Sequence, residues 1–159
     1  MSRDDGTTTL LGSYLPGESG TYASVAMYSI TGFASTSSPT RLSVKFNHNM
    51  TDLVVYEVSV RGSMPDVDAA FKSHTSTAAD VTAPQLSLRT AGDLVLSQFV
   101  GYYPDAGPTG TPTPTADLNS PSTDALFAHQ LTSGTSYTAP STTTTAGGAT
   151  TAAIALAPA

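Results

Sequence analysis

Residues 93–103 read D-L-V-L-S-Q-F-V-G-Y-Y, between Ala91-Gly92 and Pro104. Leu94, Leu96, Gln98 and Val100 share one parity; Val95, Ser97, Phe99 and Gly101 share the other. Side chains alternate between the two faces of a strand, so both faces of this one are largely apolar. A strand of that kind sits inside a sheet and is covered on two sides. A helix is the competing reading of a short apolar run. The β-branched and aromatic residues within it, and the Gly and Pro that bound it, favour the strand. The remaining apolar runs must then pair with this strand or pack on it.

On its N-terminal side, residues 85–89 place Leu86 and Leu88 on one face of a short strand. Residues 53–61 set Val54, Tyr56, Val58 and Val60 inward and Glu57, Ser59 and Arg61 outward. Residues 41–47 alternate Leu42, Val44 and Phe46 against Arg41, Ser43 and Lys45, the cleanest half-buried pattern in the chain. Asn47-His48-Asn49 with Thr51-Asp52 separates these two runs as a turn, which predicts an antiparallel hairpin. Residues 7–15 and 21–30 give two more strands around a Pro/Gly turn at 16–20. Residues 67–71, V-D-A-A-F, fit a helical turn or a short strand.

On the C-terminal side, residues 104–121 hold Pro104, Pro108, Pro112, Pro114 and Pro121 with Gly107 and Gly110. This composition predicts a long irregular loop, with T-P-T-P-T at 111–115 extended and near polyproline II. So long a connection in a compact domain is uncommon and is often an interaction arm. Residues 124–131 fit a short helix or a strand, 134–137 a further strand, and 142–148 a low-complexity loop. Residues 149–157 close the chain as a strand of small residues, with Ala152, Ile154 and Leu156 alternating against Thr151, Ala153 and Ala155. About eight short strands between turn signals predict an all-β fold, a two-sheet antiparallel sandwich of jelly-roll or immunoglobulin-like type. The 159 residues suit one domain, 1–159, with an N-terminal arm at 1–9 and the Pro-rich loop at 104–121.

Only 11% of the residues are charged, where about a quarter is usual. Ser and Thr take their place, so the exterior should be coated with hydroxyls rather than ions. Six Lys plus Arg against twelve Asp plus Glu leave a net charge of −6. So few cations cannot build a phosphate-binding surface, which argues against nucleic acid and against anionic membranes as partners. With no cysteine there is no disulfide framework and no thiolate metal site. The opening M-S-R-D-D-G lacks the apolar core of a secretory signal, and no apolar run approaches the roughly 20 residues of a membrane span. Together these features fit a protein made in a host cytoplasm and exposed when a phage particle is released by lysis, or a separated domain of a longer secreted protein.

Chemistry is sparse in the sequence. His48, His74 and His129 show no metal-ligand spacing and are read as solvated or core-edge histidines. There is no G-x-S-x-G elbow and no phosphate-cradling glycine loop. Asp66 and Asp68 come nearest to a calcium loop but lack its remaining ligands, and the aspartates read as turn residues. No catalytic, cofactor-binding or metal-binding residue is therefore expected. Tyr102 and Tyr103 lead into the Pro-rich loop and offer rings that can stack on a sugar face. With Pro104, Pro108, Pro112 and Pro114 they form the candidate interaction surface.

Three segments carry a resemblance: 52–62 (D-L-V-V-Y-E-V-S-V-R-G), 91–101 (A-G-D-L-V-L-S-Q-F-V-G) and 149–158 (A-T-T-A-A-I-A-L-A-P). They resemble the β-sandwich structural modules of actinobacterial tailed-phage virions and of secreted surface proteins. The resemblance brings no catalytic residues. It implies a non-enzymatic virion component, a capsid decoration (cement) protein first and a minor tail protein second. The partners expected are other copies of the chain, as a homo-oligomer and possibly a trimer, and virion proteins such as the major capsid protein. The other class of function to weigh is a carbohydrate-binding or cell-surface adhesion module.

Overall fold

The computed structural model describes residues 2–3, 7–14, 25–31, 42–43, 55–56, 58, 67–74, 80–101, 108–120, 125–143 and 149–158. Among the described residues the regular structure is all strand. In chain order these are β1 (Ser2–Arg3), β2 (Thr7–Tyr14), β3 (Val25–Thr31), β4 (Leu42–Ser43), β5 (Val67–His74) and β6 (Asp80–Thr82). Then follow β7 (Leu94–Gly101), β8 (Thr109–Thr111), β9 (Thr115–Ser120), β10 (Ala125–Leu131), β11 (Thr138–Thr143) and β12 (Ala149–Leu156).

Two antiparallel sheets form a sandwich. One has five strands in the order β5-β12-β7-β10-β9, and the other three in the order β6-β11-β8. The pairing is nested: β5 lies beside β12, β6 beside β11 and β7 beside β10. Successive strands from β5 to β8 alternate between the two sheets. That is a long hairpin rolled on itself, a wrapping similar to that of a jelly roll. Continuing the nest would place β9 beside β8, but β9 turns back and pairs with β10. Two further ribbons, β1 with β4 and β2 with β3, come from the N-terminal part of the chain.

The strand of residues 93–103 is β7, third of five, as its two apolar faces predict. Its inward face carries Val95, Ser97 and Phe99. The register sets Leu126, Ala128 and Gln130 of β10 and Thr151, Ala153 and Ala155 of β12 beside them. All of these are buried. Val81, Ala83, Leu86 and Leu88, from β6 and the segment after it, close the same core from the other side. On the opposite face Leu94, Leu96, Gln98 and Val100 are half-buried. The Tyr56 ring covers part of that face by stacking on Phe127, with centroids 4.6 Å apart. From Thr150 to Leu156 every residue of β12 is buried, so its small side chains let layers approach on both faces.

Polar groups tie the layers together. The Gln130 carboxamide Nε2 donates to the carbonyls of Pro112 and Thr138, which links β10 to the β8–β9 connection and to β11. Gly110 sits against it: a Cβ there would lie 2.9 Å from Gln130 Nε2 and 3.0 Å from the Thr138 carbonyl. The start of β7 is bound to the end of β10 by Gly92 N–H donating to the Thr132 carbonyl (2.9 Å) and Thr132 N–H to the Asp93 carbonyl (3.0 Å). Gly92 turns the chain there with φ +90, a region costly for a residue with a Cβ.

Tyr137 stitches the segment after β6 to β11. Its hydroxyl accepts from Leu86 N–H at 2.9 Å and donates to the Pro84 carbonyl at 3.4 Å. Gln85 adds two bonds, donating to the Tyr137 carbonyl and accepting from Ala139 N–H. Burial raises the Tyr137 pKa above 10.0, and the bond from Leu86 offsets part of the rise. The folded state therefore resists ionisation of a phenol that the unfolded chain ionises near pH 10. The stability present below pH 10 is lost as pH rises through the higher folded-state value. Urea unfolding followed from about pH 9 to about pH 11 should show a falling midpoint, and Tyr137→Phe should flatten that fall. Tyr56, raised in the same direction, leaves a residual slope in the variant.

Several expectations are corrected. The Pro-rich segment 104–121 carries β8 and β9 rather than a single irregular loop. Among the described residues Pro108 stands before β8 and Pro112 and Pro114 stand between β8 and β9, where no ladder N–H is needed. The described residues of the 1–9 arm are paired within the chain, in β1 and β2. Two segments left open between helix and strand are strand, 125–131 as β10 and 67–71 within β5, whereas Thr142 and Thr143 end β11 rather than opening a loop. Residues 134–137 are turn and coil, and 85–89 are held by side-chain bonds instead of a ladder, although Leu86 and Leu88 do face the core. Most of the 41–47 and 53–61 hairpin lies outside the described residues.

Candidate functional site

The outer face of the five-stranded sheet holds the one concentration of chemistry among the described residues outside the core. It starts with a defect in the β9–β10 ladder. Leu118 lies opposite Phe127 and Ala116 opposite Ala128, so Asp117 is the extra residue of a bulge. A bulge re-aims the side chain it carries. The Asp117 carboxylate meets His129 Nδ1, with its two oxygens at 2.8 and 2.9 Å. A carboxylate only accepts, so Nδ1 carries the proton and donates; in the neutral ring Nε2 is left as an acceptor. The His129 side chain is 38% exposed and that of Asp117 20%, which keeps the pair reachable from solvent.

Tyr56 completes the group. Its pKa is raised by burial first and then by the charge of Asp117 and hydrogen bonding to that carboxylate, which sets the phenol beside Asp117. Its ring is held by Phe127, so the phenol is fixed at both ends. Val58, Leu94 and Leu96 join Tyr56, Asp117 and His129 around a shallow cleft of about 220 Å³. That is smaller than the roughly 300–1,000 Å³ of pockets for drug-sized ligands, so it suits one ring rather than an extended molecule. Among the described residues no group of three His, Cys, Asp or Glu side chains could hold a metal ion.

Of the candidate interaction residues, Tyr102, Tyr103 and Pro104 lie outside the described residues. Pro108 and Pro112 are half-buried and Pro114 is buried. Pro112 offers its carbonyl to Gln130. His48 also lies outside the described residues. His129, read as a solvated or core-edge residue, stands in the cleft, and Asp117, read as a turn residue, stands in a strand. The sequence gives no sign of their meeting, because the bulge that brings them together has no residue signature. No protein-family model, curated protein or solved structure matches the chain.

Proposed function

We propose that this chain is a non-enzymatic structural component of a phage particle, a capsid decoration protein in first place and a minor tail protein in second. The observation that carries this reading is the nested pairing of β5, β6 and β7 with β12, β11 and β10. Jelly rolls of this kind recur in viral capsid and lectin domains. The surface adds support of a different kind. Thr109, Thr111, Thr113, Thr115, Thr135 and Thr138 are exposed, and they present hydroxyls without net charge. A neighbouring subunit can cover such a surface without stripping water from ions, which is the costly part of burying a polar face. Leu131, 66% exposed at the end of β10, is an apolar anchor on the same exterior.

The partners are then further copies of the chain, in a trimer, and the major capsid protein. The described parts of the 1–9 arm are strand-paired within the chain, so the contact surface lies on these threonines, four of them in the Pro-rich segment, and on Leu131. Light scattering should show an oligomer, and the protein should co-sediment with purified heads. Leu131→Asp should lower the oligomer fraction without changing the unfolding midpoint, since the side chain is already in water. A protein that stays monomeric and binds neither heads nor tails would remove this reading. Coding neighbours for capsid and portal proteins would support it, and a secretion cassette in their place would count against it.

A further inference from the structure

The geometry points to the cleft between Tyr56 and the Asp117–His129 pair as a binding site for a single neutral sugar ring. The rim and the rest of the cleft differ in chemistry. On the rim, a carboxylate has about four acceptor positions, of which the His129 and Tyr56 bonds occupy only part. His129 Nε2 and the Tyr56 oxygen add further sites for hydroxyl groups. Val58, Leu94 and Leu96 line the rest of the cleft with apolar side chains. A pyranose presents the matching pair, hydroxyls around its edge and C–H groups on its face.

Other ligand classes fit less well. Asp117 and the net charge of −6 repel anions. A calcium ion takes six to eight oxygens, and the cleft supplies one carboxylate. A large apolar ligand exceeds the volume available. The polar groups are also fixed before any ligand arrives. The bulge and His129 hold Asp117, and Phe127 holds the Tyr56 ring. A ligand therefore loses little free energy to ordering the side chains. A shallow site with few contacts gives a Kd on the order of 1 mM.

Such a site is independent of the particle assignment, since a virion protein and a free surface module would both be able to carry it. The test is saturation-transfer NMR on the full chain with glucose, galactose, mannose and N-acetylglucosamine at tens of millimolar. Transfer to at least one sugar is expected, strongest at the C–H face, together with a shift of the His129 ring signals. Asp117→Asn and His129→Ala should each weaken binding by about tenfold or more. Tyr56→Phe keeps the ring on Phe127 and removes only the hydroxyl, so it probes the rim even if one of the other variants fails to fold. Circular dichroism identifies any such failure. No transfer to any of the four sugars overturns the assignment, and so does transfer that survives in every folded variant at full strength.

Discussion

Leu126→Ala is expected to lower the unfolding free energy by about 3–4 kcal/mol, in the upper part of the range for such truncations. Leu126 is fully buried on β10 and lies opposite Phe99 of β7. Around these two, the same inward face carries Ser97, Ala128, Thr151, Ala153 and Ala155, all small and all buried. Leu126 and Phe99 therefore supply much of the volume between the layers. The strands beneath them are fixed by ladder bonds on both sides, so the surroundings cannot collapse into the space left by Ala. The cost is the lost transfer free energy plus most of a cavity term. Against a total stability of about 5–15 kcal/mol, the variant would be marginal. Urea unfolding should show a lower midpoint at unchanged slope. Leu131→Ala on the same strand, at a side chain 66% exposed, should stay within about 0.5 kcal/mol of the parent. A loss below about 1 kcal/mol for Leu126→Ala would mean that the two sheets do not close on this residue.

What could be read in the sequence follows the same physics. β7 was legible because two apolar faces between Gly and Pro admit few other structures. β12 was legible because its alternation survives even in alanine. β10 was ambiguous because Ala125, Leu126, Phe127 and Ala128 are all buried, and a strand covered on both faces loses its period of two. Its alanines and leucines are also good helix formers. Prolines in 104–121 carry the composition of a loop, although the described ones, Pro108, Pro112 and Pro114, bound strands rather than interrupt them. Leu86 and Leu88 alternate as a strand does, but the backbone beside them bonds to the Tyr137 hydroxyl instead of a ladder. The cleft could not be read at all. Without the bulge, the ladder would carry Asp117 out of its place beside His129, and a one-residue shift of register leaves no trace in composition.

The course of β9 links fold and cleft. A fully nested roll would pair β9 with β8 in the three-stranded sheet. By returning beside β10, it brings Asp117 to the five-stranded sheet and next to His129. In the other sheet Thr109 and Thr111 of β8 are exposed. The choice of β10 as the partner of β9 thus sets the proposed sugar cleft. Gln130, on the opposite face of β10 from His129, holds the connection that makes this choice, through the Pro112 carbonyl.

Gln130→Glu should therefore be the most damaging conservative change in the chain at neutral pH, with a loss of about 3–5 kcal/mol. Gln130 is 1% exposed, and its Nε2 is the donor to the carbonyls of Pro112 and Thr138. Glutamate has the same shape, but when ionised it has no donor. It would place a buried negative charge against two carbonyl oxygens. The folded state then favours the protonated acid, so the folded pKa lies above the unfolded value of about 4.3. Below that value the acid is protonated in both states and its O–H can serve one of the two carbonyls, so the loss is only about 1 kcal/mol. As pH rises through the raised folded pKa, the remaining stability is lost progressively. Gln130→Leu is the control: it removes both donated bonds at every pH, for a flat loss of about 1–3 kcal/mol. Urea midpoints of parent, Glu and Leu variants at about pH 4, 5.5 and 7 separate the cases, with the parent's own pH dependence subtracted. A difference between Gln130→Glu and the parent that does not change with pH would show that water reaches this side chain, and the buried link between β10 and the β8–β9 connection would have to be abandoned.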